Sequence, residues 1–270
     1  MAERLGVLPA YLALLRGQAR SQASYRTSFL VDLVGNVGAT VFDVLTVLVL
    51  FGVTARLGGF DRSEAMVMVG LSAAAFATAD LTVGSIERVR QYVRTGLLDA
   101  VLVRPLGALP QLLLMDLPLR KASRAIFGAG VLVAALAVAE PTWTPGRVLL
   151  AVLAPLAGAV FFGSIFVATA SLAFWWIDSG EVGAAFTYGG RDFTSYPMTV
   201  YGGWFRGLFA YGLGFGFVAY YPALALLGRA DPLGLPGWVG WVAPGVALPA
   251  AALAALAWRV GVRHYRSSGS

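Results

Sequence analysis

Long, uninterrupted apolar segments limit most strongly what this chain can fold into. An α-helix rises about 1.5 Å per residue, so about 20 apolar residues cross the ~30 Å hydrocarbon core of a membrane. Six segments meet or approach this length: Phe29 to Val53, Glu64 to Ile86, Ala122 to Ala139, Arg147 to Ile177, Gly202 to Leu227 and Trp238 to Val260. The runs do not alternate as barrel strands do. The sequence therefore predicts an all-α integral membrane protein with six transmembrane helices.

The composition agrees with burial in lipid. Of 270 residues, 58% are hydrophobic and 13% are charged, whereas soluble domains have about 45–50% and about 25%. Cysteine is absent, which excludes disulfides and thiolate metal sites. The single histidine, His264, is expected to be a solvated tail residue. We find no repeat and no linker, so residues 1–270 are predicted to form one membrane domain.

Basic residues predict the orientation of the bundle. Short cytoplasmic loops carry an excess of Lys and Arg. With the N-terminus in the cytoplasm, sixteen of the twenty basic residues fall on that side, Arg191 and Arg206 among them. Both termini are therefore expected to be cytoplasmic. The arginines lie between apolar segments, so membrane topology explains them better than nucleic-acid binding does.

Two polar stretches are predicted to lie outside the lipid core. Within residues 1–28, the segment Pro9 to Ser24 has helical spacing of apolar residues and is expected to be an interfacial helix, with a disordered basic arm as the alternative. Within residues 87–111, apolar or small residues recur with helical spacing from Val89 to Val101. Gly96 is expected to divide this second helix and Pro105 to end it. The helix could meet a soluble partner or be a passive surface element.

Four polar residues inside the predicted spans are candidates for a role at membrane depth. Asp32, Asn36 and Asp43 share one stripe of the first span, and Asp80 lies in the second. An aspartate at mid-membrane costs about 2.5–3.5 kcal/mol on insertion scales, so it is expected to face the bundle interior or a wet cavity. These residues could line a transport pathway or make structural hydrogen bonds to neighbouring helices.

Several catalytic motifs are missing from the sequence. There is no G-x-x-x-x-G-K-[ST] phosphate loop, so the chain is not expected to hydrolyse ATP. A single histidine gives no zinc motif and no catalytic triad. The protein is therefore not expected to be an enzyme, to hold a metal or to bind a cofactor directly.

Two motifs connect the chain to a known family. The run RTGLLDAVLVRPL, Arg94 to Leu106, resembles the cytoplasmic motif of type-2 ABC transporter permeases. The run YYPALALLGR, Tyr220 to Arg229, resembles the outer end of the fifth span in a six-helix bacterial branch of ABC exporters. The predicted interfacial helix and six spans extend the resemblance over essentially the whole chain.

This resemblance implies a permease subunit of an ATP-driven exporter in the bacterial plasma (inner) membrane. A second permease, identical or paralogous, would complete the pathway, and separate ABC ATPase subunits would bind ATP and Mg. By position, the helix from Leu97 to Arg104 would contact the ATPase. The residues assigned to coupling by the resemblance are Arg94, Gly96, Leu97, Leu98, Asp99, Arg104 and Pro105.

Two other functions remain open from the sequence. A stand-alone secondary transporter would move a proton through Asp43 or Asp80, although no inverted repeat typical of such proteins is visible. A structural membrane scaffold is the third possibility. The neighbouring gene distinguishes the exporter permease from the other two functions, because an exporter permease is expected to be encoded beside an ATPase.

Overall fold

The structure is a computed structural model that describes residues 26–115 and 121–266. The predicted interfacial helix from Pro9 to Ser24 lies outside the described residues. Within the described part, every regular element is helical, and Leu57 and Phe60 form an isolated β-bridge. The helices are α1 (Arg26–Val53), α2 (Arg62–Thr82), α3 (Val89–Arg94), α4 (Leu97–Leu102), α5 (Ala108–Met115), α6 (Ala122–Ala139), α7 (Pro145–Ser171), α8 (Gly180–Thr194), α9 (Gly203–Arg206), α10 (Tyr220–Leu227), α11 (Val239–Val242) and α12 (Ala247–His264).

Four helical segments of the described chain are long and apolar enough to cross a membrane. They are α2, α6, α7 with its 3₁₀ extension to Phe174, and the joined α11–α12 helix from Val239 to His264. A bent pair, Gly203–Gly212 and Phe215–Leu227, would supply a fifth if it counted as one span. These findings confirm the all-α, multi-pass prediction, and α6 has the predicted bounds.

Helix α2 lies at the centre of the bundle. Most of its residues are buried, and α6 and α7 pack along it. Glycines permit the closest approach between α2 and α6: a Cβ at Gly70 would lie 2.6 Å from the Leu132 Cα, and one at Gly128 would lie 3.0 Å from Ala73. Backbones come this close in membrane bundles where small residues line the contact.

The two ends of α2 define the two ends of the bundle. At the start of α2, Asp61 caps the helix with its carboxylate, in a capping box completed by Glu64. We call the end that holds residues 54–61 the far end. The chain leaves α2 through a 3₁₀ turn, Gly84–Arg88, into α3–α5. We call the end that holds residues 84–115 the coupling end.

The segment from Asp178 to Thr199, which contains α8, runs between these two ends, and the sequence did not predict this path. At the coupling end, Asp178 just before α8 pairs with Arg94. Halfway along α2, the hydroxyls of Ser72 and Thr194 share a hydrogen bond of 2.7 Å. At the far end, the Thr199 hydroxyl donates to the Gly58 carbonyl at 2.7 Å. Residues 178–199 therefore traverse the length of α2.

The predicted fifth span, Gly202 to Leu227, is not a straight crossing. Its two halves are bent by 66°. The segment follows Thr199 at the far end, and it returns there, where Arg229 pairs with Glu64 and donates to the Gly59 carbonyl. Its turn at Phe215 packs against Phe161, near the middle of the α7 helix. Both flanks of the segment therefore lie at the far end, and we call the bent pair Gly203–Leu227 the hairpin.

Two arginines consequently lie away from where the sequence placed them. Arg191 was assigned to the cytoplasmic side, but its guanidinium lies 5.5 Å from the Phe76 ring centre, beside the middle of α2. Arg206 was assigned there as well, but it follows Thr199 at the far end and donates to the Tyr201 carbonyl. Among the described residues, the coupling end still holds Arg88, Arg90, Arg94, Arg104, Lys121 and Arg124.

Candidate functional site

The segment between α2 and α6 forms a bent helical platform. Gly96 adopts φ 71°, the left-handed conformation that glycine accepts without a Cβ penalty, and it separates α3 from α4. Val89 and Val93 of α3 are buried, and so are Leu98 and Val101 of α4. The buried positions thus repeat with helical spacing within each helix, and each helix packs its own face on the bundle.

The continuous apolar face predicted from Val89 to Val101 is wrong after Gly96. It placed Leu97 and Ala100 with the buried residues, but Leu97 is 54% exposed and Ala100 is exposed. Leu98 takes their place and is fully buried. The left-handed residue changes the rotational phase of the chain, so a stripe extrapolated from α3 does not continue in α4.

The exposed face of the platform combines apolar and basic side chains. Leu97 and Val103 are 54% and 82% exposed, and Arg104 and Pro105 are exposed beside them. The Arg104 guanidinium lies 3.8 Å from the Met115 sulfur. Exposed large apolar residues next to a cation, outside the long apolar helices, are typical of a protein contact surface.

Gln111 holds the platform in its bent shape. Its side chain is fully buried, and its amide nitrogen donates to the carbonyls of Val101 and Leu106 at 3.2 and 3.0 Å. These acceptors lie at the end of α4 and in the turn after Pro105, so one side chain ties α5 to both. Gln111 was not predicted as a functional residue, because its only signal in the sequence is a lone amide in an apolar run.

Two residues distant in sequence anchor the platform to the rest of the protein. Arg94 donates to the Asp178 carboxylate at 2.6 Å, and both side chains are exposed. Asp99, which the resemblance assigned to ATPase contact, is half-buried and faces Tyr265 after α12. Burial, together with the negative charge of Asp99, raises the pKa of the Tyr265 hydroxyl. Nothing in the local sequence indicates either contact.

A polar cavity of about 640 Å³ opens beside α3. Arg88, Arg90 and Arg94 line it together with Glu87 and Ile177. Burial and the nearby Asp80 carboxylate raise the pKa of Glu87. The three guanidiniums make this cavity basic.

Asp80 lies in the last turn of α2, just before the platform, in a buried ionic cluster. Its side chain is 2% exposed, and its two oxygens lie 2.6 Å from the Lys121 amine and 3.5 Å from the Arg124 guanidinium. The cluster joins the coupling-end termini of α2 and α6. A Cβ on Gly84 would lie 2.3 Å from an Asp80 oxygen, so glycine there makes room for the carboxylate.

The other polar residues predicted at membrane depth are not placed by the structure. Asp32, Asn36 and Asp43 belong to α1, but their side chains lie outside the described residues. Of the four candidates, the structure therefore locates Asp80 alone, and it places Asp80 in an ion cluster. Among the described residues, no group of three or more metal-ligating side chains is found.

A central, glycine-packed helix with several long apolar helices around it defines a multi-pass α-helical membrane protein. Comparison with protein families matches residues 37–269 to the model described as ABC-2 family transporter protein. The chain belongs to this family, whose permeases generally work with ABC ATPase subunits. No curated protein and no solved structure matches it.

Proposed function

We propose that the chain is the membrane-spanning permease subunit of an ATP-binding cassette exporter. A separate ATPase subunit binds ATP and Mg and drives it, and a second permease, the same chain or a paralogue, completes the pathway. The chain itself hydrolyses nothing. The observation that carries the proposal is the platform α3–α5, which combines a rigid attachment to the bundle with an exposed contact face.

The attachment of the platform supports its mechanical role. Leu98 and Val101 fix α4 on the bundle, Gln111 braces it, and Asp99 faces the end of the last helix. Force applied to Leu97 and Val103 would therefore reach several helices at once. ATP binding can drive a change of state only if the ATPase favours one arrangement of these helices over the other.

The proposed topology has six crossings: α1, α2, α6, α7, α8 with the turn to Val200, and α11–α12. The hairpin Gly203–Leu227 then dips into the membrane from the outer side and returns. The arginine excess at the coupling end puts that end in the cytoplasm of a bacterial inner membrane, with both termini there. This assignment keeps the predicted number of spans but moves the fifth one to residues 180–200.

An association assay tests the contact face. The ATPase encoded beside the permease is co-expressed and captured through a tag on the permease. Leu97→Asp and Arg104→Glu are each expected to reduce ATPase recovery at least tenfold, because both change exposed positions of the platform. The matched control, Arg56→Glu, reverses an exposed arginine in the loop at the far end, remote from the platform. Equal recovery by all variants would refute the assignment.

Labelling tests the orientation. The chain has no cysteine, so Val103→Cys introduces one thiol at an 82% exposed position. In intact cells, a membrane-impermeant maleimide is expected to leave this thiol unlabelled, and to label it after the membrane is opened. Labelling in intact cells would place the platform outside, where no ATPase could reach it.

The proton-coupled alternative gains no support. Asp80 is held between Lys121 and Arg124, and protonating it would leave two partly buried cations uncompensated. A carboxylate that cycles between charged and neutral forms needs an environment that tolerates both.

A further inference from the structure

Helix α8 places a carboxylate level with the middle of α2. Ser72 is the central residue of the 21-residue helix α2. Its hydroxyl shares a hydrogen bond with that of Thr194 and lies 3.3 Å from the Arg191 carbonyl, to which it donates. Asp192 lies between these two contact points in the sequence. Asp192 therefore lies level with the midpoint of α2.

The Asp192 carboxylate points away from the bundle. Its side chain is 72% exposed, whereas that of Arg191 is 13% exposed and lies against the Phe76 ring. The nearest atoms of the two charged groups are 3.9 Å apart, at the outer limit of an ion pair. The cation is thus withdrawn into the protein, and the anion is left on the surface.

One stripe of α8 shares this exposure. Glu181, Ala185, Tyr188 and Asp192 follow one another at helical spacing and are exposed, with Gly189 beside them. Thr187, Gly190 and Phe193 on the other side are buried. The exposed stripe is small, acidic and aromatic, unlike the aliphatic outer faces of α6 and α7.

Such a stripe cannot face lipid tails. A carboxylate at the bilayer centre is costly, and residues of this kind face a bundle interior or a water-filled cavity. We propose that the Asp192 stripe lines the translocation pathway and selects organic cations with apolar surface. This rests on the permease function proposed above. The carboxylate attracts the charge, and the aromatic rings of Tyr188 and Phe186, both partly exposed, receive the apolar body.

A charge-selective labelling experiment tests the pathway. Gly189→Cys adds a single thiol one turn from Asp192, at a glycine whose Cβ would meet no atom within 4 Å. The full chain, in membranes, reacts with a cationic trimethylammonium thiosulfonate or an anionic sulfonate thiosulfonate of similar size. A fixed negative charge one turn away is expected to favour the cation by about tenfold. Adding Asp192→Asn should abolish this preference.

Two outcomes would overturn the proposal. One is failure of both reagents to modify Cys at position 189, which would show that no water reaches the stripe. The other is a cation preference that survives Asp192→Asn. The matched control is Val133→Cys at a 67% exposed position of α6, which is expected to stay unmodified because it faces lipid.

Ligand binding tests the substrate class. Tetraphenylphosphonium and tetraphenylborate have nearly the same shape and opposite charge. In nanodiscs, with empty discs subtracted, the chain should show saturable binding of the cation and none of the anion. Asp192→Asn should weaken cation binding by about tenfold, and the control Glu140→Gln should not change it. Saturable binding that ignores Asp192, or no saturable cation binding, would refute the substrate class.

The two proposals fail separately. If the ATPase is captured normally but cation binding does not depend on Asp192, the chain remains a permease and the selectivity is wrong. If the wild-type chain captures no ATPase, the permease function is wrong whatever the nanodiscs show.

Discussion

The Asp80 cluster yields the most demanding prediction about stability. Asp80→Asn keeps the size of the side chain and removes its charge, which leaves Lys121 and Arg124 without a counter-ion at partly buried positions. Removing one partner of a buried ion pair costs about 3–5 kcal/mol. Lys121→Met should cost less, about 1–3 kcal/mol, because Arg124 still lies 3.5 Å from the carboxylate.

A natural control for this prediction lies in the same protein. Arg94 and Asp178 also meet at 2.6 Å, but their side chains are 65% and 77% exposed. Exposed pairs contribute about 0–1 kcal/mol, so Asp178→Asn should have a small effect. The shortest distances in the two pairs are equal, so the contrast between the two aspartates reports the effect of burial together with that of the second cation at Asp80.

The assay is reversible unfolding in mixed micelles with increasing dodecyl sulfate, followed by tryptophan fluorescence. Asp80→Asn, Lys121→Met and the double variant form a mutant cycle, which should report a coupling energy of about 1–3 kcal/mol. Additive effects of the two substitutions would refute the argument. So would an Asp80→Asn variant no less stable than Asp178→Asn.

Three further predictions concern glycine and pH. Gly96→Ala should destabilise the protein by about 1 kcal/mol in the same assay, because alanine is strained at φ 71°. Gly70→Ala should cost about 1–3 kcal/mol, since its Cβ would meet the Leu132 backbone and force α2 and α6 apart. The raised pKa of Glu87 means that the folded protein favours the neutral form of this side chain. The contribution of Glu87 to the free energy of unfolding is therefore fully present below its unfolded pKa and is lost as the pH rises through its folded pKa. Glu87→Gln should therefore flatten the loss of stability between the unfolded and the folded pKa of Glu87, and an unchanged pH profile would contradict the buried setting of Glu87.

Hydropathy predicted correctly the helices that consist mainly of apolar residues. Helix α6 has the predicted bounds, and the last span begins within one residue of the predicted start. Helix α8 was not predicted, because it contains Glu181, Arg191, Asp192 and four glycines. Its mean hydropathy is therefore as low as that of a typical loop. The crossing that we propose for it rests on its contacts with α2, which the hydropathy of a single segment does not measure.

The reverse error occurred at the hairpin Gly203–Leu227. Its summed apolarity equals that of a span, so the sequence predicted one straight helix. The bend depends on Gly214, which adopts φ 87° against Phe161 and Val246. Whether a glycine in an apolar run is left-handed is decided by what packs on it, and that information is tertiary. Gly96 was anticipated as a break, but its effect on the phase of α4 was not.

The contact between Asp99 and Tyr265 connects helix α4 of the platform to the end of the last helix, α12. Tyr265 follows α12, and Ala251, Ala254 and Ala255 of α12 form one wall of an apolar cavity of about 470 Å³ against α2, α5 and α7. A displacement of α4 would thus be felt along the final helix and would change the width of that cavity. A bulky reporter fused directly after Arg266 would disturb the contact between Asp99 and Tyr265, so reporters should be fused elsewhere on the chain.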